Sequence, residues 1–299
     1  MKVTIHDKAG FCWGVVRTVD IAEETLNLAE KNNSNTYILG HIIHNPKEIN
    51  RLEEKGLKTI SHEDLEEIAR TDKDAKIIIR AHGEPPSTYK KTAELGLDVI
   101  DATCPLVTNL QNRVIKYHEL GYKIIIFGKK EHAEVIGLRG VCNDECTVIK
   151  SLEEAKEIND FGKQTVFMSQ TTMDKHIFHQ VKEYLESKIN NLIDLGEIDS
   201  KLLGRDTTCR AVTSREAPLK DFAKSNDVMI FVSGKNSSNG KSLYNSCLKV
   251  NPRTYFVEDM SEIDWNWFEN AETVGISGAT STPQWYMEKV KSCIENKFN

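Results

Sequence analysis

Short apolar runs alternate along the whole chain with longer stretches in which apolar residues recur every three or four positions. The first pattern is that of strands buried on both faces, and the second is that of amphipathic helices. The strands expected are VTI near residue 3, TYILG from 36, LKTI from 57, KIIIRA from 76, DVID from 98 and KIIIFG from 123. The remainder are CTVIK from 146, QTVFMS from 164, NLIDL from 191, DVMIFVS from 227, TYFVED from 254 and TVGIS from 273. This is a βα alternation with few long loops, which predicts an α/β fold with parallel sheets. About twelve strands are too many for one eight-stranded barrel.

The residues at the strand ends divide the chain into three similar parts. Cys12 precedes a helix, then a strand that ends at His44–Asn45, then a later strand that ends at His82–Gly83. Cys104 opens the second part, with strand ends at His132–Ala133–Glu134 and at Thr171–Thr172. Cys209 opens the third, with strand ends at GKNSSN (234–239) and GATS (278–281). From cysteine to first loop (His44, His132, Ser237) the distances are 32, 28 and 28 residues; to the second (His82, Thr171, Ser281) they are 70, 67 and 72. The regularity predicts three similar small α/β domains, each with a four-stranded parallel sheet, in a pseudo-threefold arrangement. Their expected bounds are 13–103, 104–207, and 208–299 completed by the N-terminal strand 1–12. Ligands bind at the C-terminal edges of such sheets, so each part offers one cysteine and two polar loops.

Composition removes several functions. With 39% hydrophobic and 28% charged residues the chain is an ordinary globular protein. The N-terminus lacks a basic segment followed by an apolar one, so a cytoplasmic location is expected, and no apolar run approaches the roughly 20 residues that span a membrane. A formal charge of −6 with interspersed signs argues against nucleic acid as a partner. An anionic ligand must then be captured by local groups. Seven scattered cysteines in a chain without export signals do not read as a disulfide framework.

Cys12, Cys104 and Cys209 each stand at a strand-to-helix junction, where backbone N–H groups and the helix dipole favour thiolate. A closed zinc site needs four ligands, usually with paired cysteines, and no C-x-x-C pair exists here. Three lone thiolates suit an iron–sulfur cubane with one iron open to substrate. Around them, His44, Asn45, His82, His132, Thr171, Thr172, Ser237, Ser238, Asn239 and Ser281 supply donors suited to a diphosphate. Glu134 is the one carboxylate in these loops and the candidate proton donor.

The set GFCWGV, HN (44–45), AHG (81–83), DATCPLV, EHAE, QTT (170–172), the cysteine of TTC, GKNSSN and GATSTP resembles, in order and spacing, the 4-hydroxy-3-methylbut-2-enyl diphosphate reductase family. The resemblance covers essentially the full chain. It implies a trefoil of three α/β domains around one [4Fe-4S] cluster held by Cys12, Cys104 and Cys209. It implies reductive removal of the substrate hydroxyl, giving isopentenyl and dimethylallyl diphosphate, with electrons from a ferredoxin- or flavodoxin-like partner. By motif, His44, His82, His132, Ser237, Ser238, Asn239 and Ser281 resemble the diphosphate contacts. Thr171 would lie near the substrate hydroxyl, and Glu134, with His132 beside it, resembles the proton donor. His41 lies outside the family pattern, and Ser233–Gly234 inverts the order more usual before KNSSN.

Two rival readings come from other classes. GKNSSNGKS (234–242) resembles a nucleotide-binding phosphate loop, but has five residues between Gly234 and Gly240 where that motif has four. A cluster-bearing redox sensor without catalysis is the other. Cys142 and Cys146, in VCNDECTVI, read as an acidic turn before a strand rather than half of a metal site, because no second pair completes four ligands. Cys247 and Cys293 fall in helical stretches and read as packing residues. The segment SHEDLEEIARTDKD reads as a solvated helix face.

Overall fold

A computed structural model describes residues 1–298. The elements run β1 (Lys2–Ile5), α1 (Trp13–Asn32), β2 (Thr36–Leu39), α2 (Pro46–Glu54), β3 (Leu57–Ile60), α3 (Leu65–Thr71), β4 (Lys76–Ile79), α4 (Pro86–Glu94) and β5 (Asp98–Asp101). They continue with α5 (Pro105–Glu119), β6 (Lys123–Phe127), α6 (Ala133–Gly140), β7 (Cys146–Ile149), α7 (Leu152–Lys156), β8 (Gln164–Ser169), α8 (Lys175–Asp194) and β9 (Lys201–Arg205). Last come α9 (Arg210–Thr213), α10 (Glu216–Lys224), β10 (Val228–Val232), α11 (Ser238–Leu248), β11 (Thr254–Val257), β12 (Thr273–Gly278) and α12 (Gln284–Phe298). No helix among the described residues is long and apolar enough to cross a membrane.

The strands form three four-stranded sheets with one repeated order: β3-β2-β4-β5, β7-β6-β8-β9 and β11-β10-β12-β1. The N-terminal strand therefore fills, in the last sheet, the place that β5 and β9 fill in the others. It pairs parallel with β12, Val3 opposite Val274. The expected α/β architecture of three similar parallel sheets is the one observed.

One strand lies elsewhere than the pattern suggested. NLIDL (191–195) is not a strand; it is the end of the 20-residue helix α8, and the fourth strand of its sheet is KLLGR (201–205). Four buried residues, Phe178, Val181, Leu185 and Ile189, set a helical period that carries on through Leu192. Gly196 then turns the chain at φ +73°, a conformation glycine adopts without a Cβ clash.

By packing, the chain divides into two compact units, residues 1–59 with 210–299, and residues 60–209. In the first, β10 alternates strictly: Val228, Ile230 and Val232 face α12 through Met287 and Val290, whereas Met229 and Phe231 face Leu219 and Leu243. In the second, Ile125 and Phe127 of β6 pack on α8, and Ile124 and Ile126 pack on Leu110 and Val114 of α5. Both faces of these strands are covered, which is why they read as unbroken apolar runs. Each such fully buried side chain stabilises by about 1.5–3 kcal/mol.

Within the second unit, Gly140 at the end of α6 lies against Pro85. A Cβ at Gly140 would stand 2.3 Å from the Pro85 Cβ and 3.1 Å from its Cα. The contact sets the distance between α6, which His132 caps, and the His82–Gly83 loop. Gly140→Ala is therefore expected to destabilise the fold by about 1–3 kcal/mol through overpacking, read as a lowered melting temperature. An unchanged melting temperature would mean that the contact relaxes freely.

Candidate active site

One hydrogen bond recurs in all three parts of the repeat. Each of the three cysteines donates its backbone N–H to a carbonyl in a second-loop segment: Cys12 to Thr280 at 3.1 Å, Cys104 to Ala81 at 3.0 Å, and Cys209 to Thr171 at 2.8 Å. Cys12 and Cys104 are the N-caps of α1 and α5, and in neither does the side chain make a capping hydrogen bond. Cys209 precedes only a single helical turn, α9, so its helix dipole is weaker than the sequence pattern implied. Its segment is held instead by Thr207, whose hydroxyl accepts from the Ser169 N–H at 2.8 Å and donates to the Ser169 carbonyl at 2.6 Å. All three thiols are half-buried. Cys247 differs, being fully buried on α11, where burial pushes its thiol up to about 12.

In the first unit, the loops after β2, β10 and β12 carry the predicted residues. Asn45 is the N-cap of α2: its Oδ1 accepts from Lys47 N at 3.1 Å and Glu48 N at 3.4 Å, so it fixes the loop that carries His44. A Cβ at Gly234 would lie 2.2 Å from the His44 carbonyl oxygen, so only glycine lets the 234–239 loop lie on that backbone. Ser237 caps α11 by accepting from Gly240 N at 3.0 Å, which leaves its own hydroxyl proton to donate elsewhere. Ser238 opens α11. Asn239 is buried, and its Oδ1 accepts from both Thr280 N and Thr280 Oγ1 at 2.9 Å. These two donors define which end of the amide is oxygen, and the Nδ2 is left buried without a hydrogen-bond partner, as is the Ser281 hydroxyl. Two buried polar groups that can donate, on adjoining loops at the C-terminal edge of one sheet, suit an anion.

The basic residues of this loop are turned away from that role. The Lys235 ammonium pairs with Glu262 and its backbone N–H donates to Glu258 at 2.6 Å, while Lys241 is exposed. Lys47 pairs with Asp259. The loop's buried donors are thus neutral.

In the second unit, His132 is the N-cap of α6 and its Nδ1 accepts from Glu134 N at 3.2 Å. A neutral imidazole bonded this way carries its proton on Nε2. The His82 ring meets it edge-on, with centroids 5.2 Å apart. Glu134 is buried, 1% exposed. Its two oxygens accept from Thr171 N and Thr171 Oγ1, both at 2.7 Å. Burial pushes its carboxyl up to about 7, against the two Thr171 hydrogen bonds, which favour the charged form. A carboxyl poised there holds and releases a proton near neutral pH. Thr172 accepts from the buried Gln170 amide at 2.8 Å and so belongs to the loop's scaffold.

The structure adds residues the sequence reading missed. Thr280, within GATST, orients Asn239; Gln170, within QTT, ties its loop to Lys129 N at 3.1 Å. Both lay inside recognised motifs, and their polar character at strand ends was the available signal. Arg215 clamps the carbonyls of Gly10 and Phe11 just before Cys12, at 2.5 and 3.2 Å, and nothing in its local sequence announces this.

Residues 3–295 match the family model described as LytB protein. The chain is 44% identical over 331 aligned residues to 4-hydroxy-3-methylbut-2-enyl diphosphate reductase of Prosthecochloris aestuarii, covering 100% of both chains. It is 42% identical to the protein of that name from Chlorobaculum parvum, with 100% of this chain and 97% of that one covered. A solved structure described as (E)-4-hydroxy-3-methyl-but-2-enyl diphosphate reductase, the terminal enzyme of the non-mevalonate pathway, matches with a TM-score of 0.70 and 34% identity, over 99% of this chain and 100% of that one. The corresponding reductase from Plasmodium falciparum matches with a TM-score of 0.85 and 26% identity, over 99% and 88%. With its threefold sheet order, its repeated cysteine hydrogen bond and these full-length matches, the chain belongs to the LytB protein family.

Proposed function

We propose that this chain is an iron–sulfur reductase that converts (E)-4-hydroxy-3-methylbut-2-enyl diphosphate to isopentenyl and dimethylallyl diphosphate, the last step of the non-mevalonate isoprenoid pathway. The observations that carry the reading are the unpartnered buried groups at Asn239 and Ser281 in one unit and the buried, near-neutral carboxyl at Glu134 in the other. Diphosphate is bound by His44, His82, His132, Ser237, Ser238, Asn239 and Ser281. Cys12, Cys104 and Cys209 are the ligands of one [4Fe-4S] cluster with an open iron. These half-buried thiols fit this role better than the buried Cys142 and Cys247, whose thiols are pushed toward the protonated form. When bound, the cluster supplies the electrons, which come in turn from a ferredoxin- or flavodoxin-like donor. The reading includes a cytoplasmic location and three domains bounded at 13–103, 104–207, and 208–299 with 1–12.

The residues' own part follows from their hydrogen bonds. Reduction consumes two electrons and two protons and releases the hydroxyl as water. The Thr171 hydroxyl donates to the ionised Glu134 carboxylate at 2.7 Å. Once Glu134 is protonated the same contact runs in reverse, the carboxyl donating to the Thr171 oxygen and the freed hydroxyl proton passing toward the substrate oxygen. Burial keeps bulk water from that path. His132, protonated on Nε2, donates to the anion while its Nδ1 stays on the helix.

Serine at Cys12, Cys104 or Cys209 is expected to abolish or destabilise the cluster, whereas Cys247→Ser and Cys293→Ser keep it. Iron and sulfide analysis of anaerobically purified protein, with Mössbauer spectroscopy, reads this directly. Retention of a full cluster by Cys12→Ser would overturn the ligand assignment.

Glu134→Gln preserves size and hydrogen bonding but cannot supply a proton. Turnover should fall by about 10²–10⁴-fold with the cluster spectrum intact. Because the protonated form is the active one, the wild-type rate should decline as pH rises through about 7, and the variant's residual rate should lose that inflection. Near-normal turnover with excess reductant would remove Glu134 from the proton path.

Asn239→Ala removes a donor worth roughly 1.5–3 kcal/mol to a charged ligand, so affinity should weaken by about 10- to 150-fold. Calorimetry of the anaerobic protein with the hydroxylated C5 diphosphate measures it, with Mg-ATP as the parallel titrant. Tight ATP binding with the C5 diphosphate ignored would favour the nucleotide-binding alternative instead.

A further inference from the structure

Cys142 and Cys146 lie in the second unit, apart from the residues of the proposed reductase site. The segment between them folds back on itself. Asn143 and Asp144 adopt left-handed conformations, φ 52° and 62°, which short polar side chains tolerate better than others. Glu145 N donates to the Cys142 carbonyl at 2.8 Å, Cys146 N to the Asp144 carbonyl at 2.9 Å, and Asp144 N to the Arg139 carbonyl at 2.8 Å. An ion pair from Arg139 to Asp144 at 2.8 Å holds the turn from outside. The turn folds Cys146 back toward Cys142, and both side chains pack in one apolar cluster with Leu110, Val114 and Leu138.

We propose that Cys142 and Cys146 form a dithiol modification site, which a small-molecule disulfide of the glutathione class converts to an intrachain disulfide.

The two sulfurs have unequal surroundings. Cys142 is fully buried against Leu110, Val114 and Leu138, and its Sγ lies 3.4 Å from the Leu138 carbonyl and 3.3 Å from the Arg139 carbonyl. Cys146 is half-buried and lines an open pocket of about 540 Å³ with His118, Tyr122, Lys123 and Glu145. The accessible sulfur is also the one whose ionisation is favoured: the neighbouring Cys142 thiol, with help from Arg139 and against burial, holds the Cys146 thiol below the usual range. Cys142 is pushed up by the Cys146 thiol and by burial. A half-buried thiol of favoured ionisation, open to a pocket and beside a shielded partner thiol, is the arrangement that thiol–disulfide exchange requires.

The step balances. The Cys146 thiolate attacks one sulfur of the disulfide RSSR, forming a mixed disulfide and releasing RS⁻. Cys142 then loses its proton to solvent and attacks the Cys146 sulfur, expelling the second RS⁻. Two protein thiols are oxidised and one RSSR is reduced to two RSH. In the oxidised form Cys142 has no proton to give the Leu138 and Arg139 carbonyls, at the opposite end of α6 from Glu134.

Both cysteines fall in one tryptic peptide, 140–150, flanked by Arg139 and ending at Lys150. The anaerobic, cluster-loaded full chain is incubated with excess oxidised glutathione, alkylated under denaturing conditions, digested and weighed. The expected result is a peptide lighter by two hydrogens that takes up no alkyl label, regains two labels after reduction, and forms while the cluster absorption is unchanged. The peptide with Cys247 keeps its label throughout. Cys142→Ser should stop at one glutathione on Cys146. A wild-type peptide that takes up two labels, or that stops as a mixed disulfide without closing, overturns the proposal, and this wild-type arm decides the matter even if the variant does not fold.

Discussion

The hydrogen bond from each cysteine's backbone N–H to a carbonyl of a second-loop segment is the constraint on which the site's geometry rests. A parallel sheet brings all its strand C-termini to one edge, but loops leaving that edge are free to diverge. The bonds from Cys12 to Thr280, Cys104 to Ala81 and Cys209 to Thr171 remove that freedom at the same place in each part of the repeat. They put a sulfur beside a loop whose next residues are polar: Ser281, His82, and the hydroxyl of Thr171 itself. Where the helix after the cysteine is long, as at α1 and α5, the cysteine carbonyl also accepts the first helical hydrogen bond, from Val16 N at 2.9 Å and from Thr108 N at 3.0 Å. At Cys209, where the helix is one turn, Thr207 supplies the missing anchor with a pair of hydrogen bonds to Ser169.

Burial decides the character of the polar groups that follow. Glu134 lies where solvation is lost, and two hydrogen bonds from Thr171 do not compensate for it, so the carboxyl sits near neutrality. Asn239 is as deeply buried, yet its Oδ1 is occupied by Thr280, leaving the amide Nδ2 buried without a hydrogen-bond partner. The lysines, whose desolvation would be expensive, stay at the surface in pairs with Asp259 and Glu262. In a chain of formal charge −6 the buried polar groups of this loop are thus neutral, and the cost of burying ammonium groups is avoided.

The cysteines divide by the same physics. Those at strand-to-helix junctions are half-buried with sulfurs outside the helix caps, whereas Cys247 is enclosed by apolar side chains and held as a thiol. Cys142 and Cys146 belong to neither group. One is inside the core and the other at a pocket, and a left-handed turn joins them. Their reading as an acidic turn before β7 is correct for the backbone and incomplete for the sulfurs.

Alternation of apolar runs and amphipathic stretches was sufficient for the α/β class, the three sheets and the completion of the last sheet by β1, because a strand covered on both faces has no choice but to be apolar throughout. Ile77–Ile79 and Ile124–Phe127, all fully buried, show the rule at its plainest. It failed at NLIDL, where a short apolar run was in fact the last turn of α8; five residues do not distinguish a period of two from one of 3.6, and the packing of Phe178, Val181, Leu185 and Ile189 settled it. The polar strand ends were likewise legible, since spacing alone grouped His44, His132 and Ser237, and His82, Thr171 and Ser281. Only the tertiary structure decided which atoms those residues present. That Thr280 turns the Asn239 amide, that Arg215 clamps Gly10 and that Glu134 is dry depend on contacts between segments far apart in sequence. Hydrogen-bond partners and desolvation are properties of such contacts, and a residue's neighbours in the chain do not encode them.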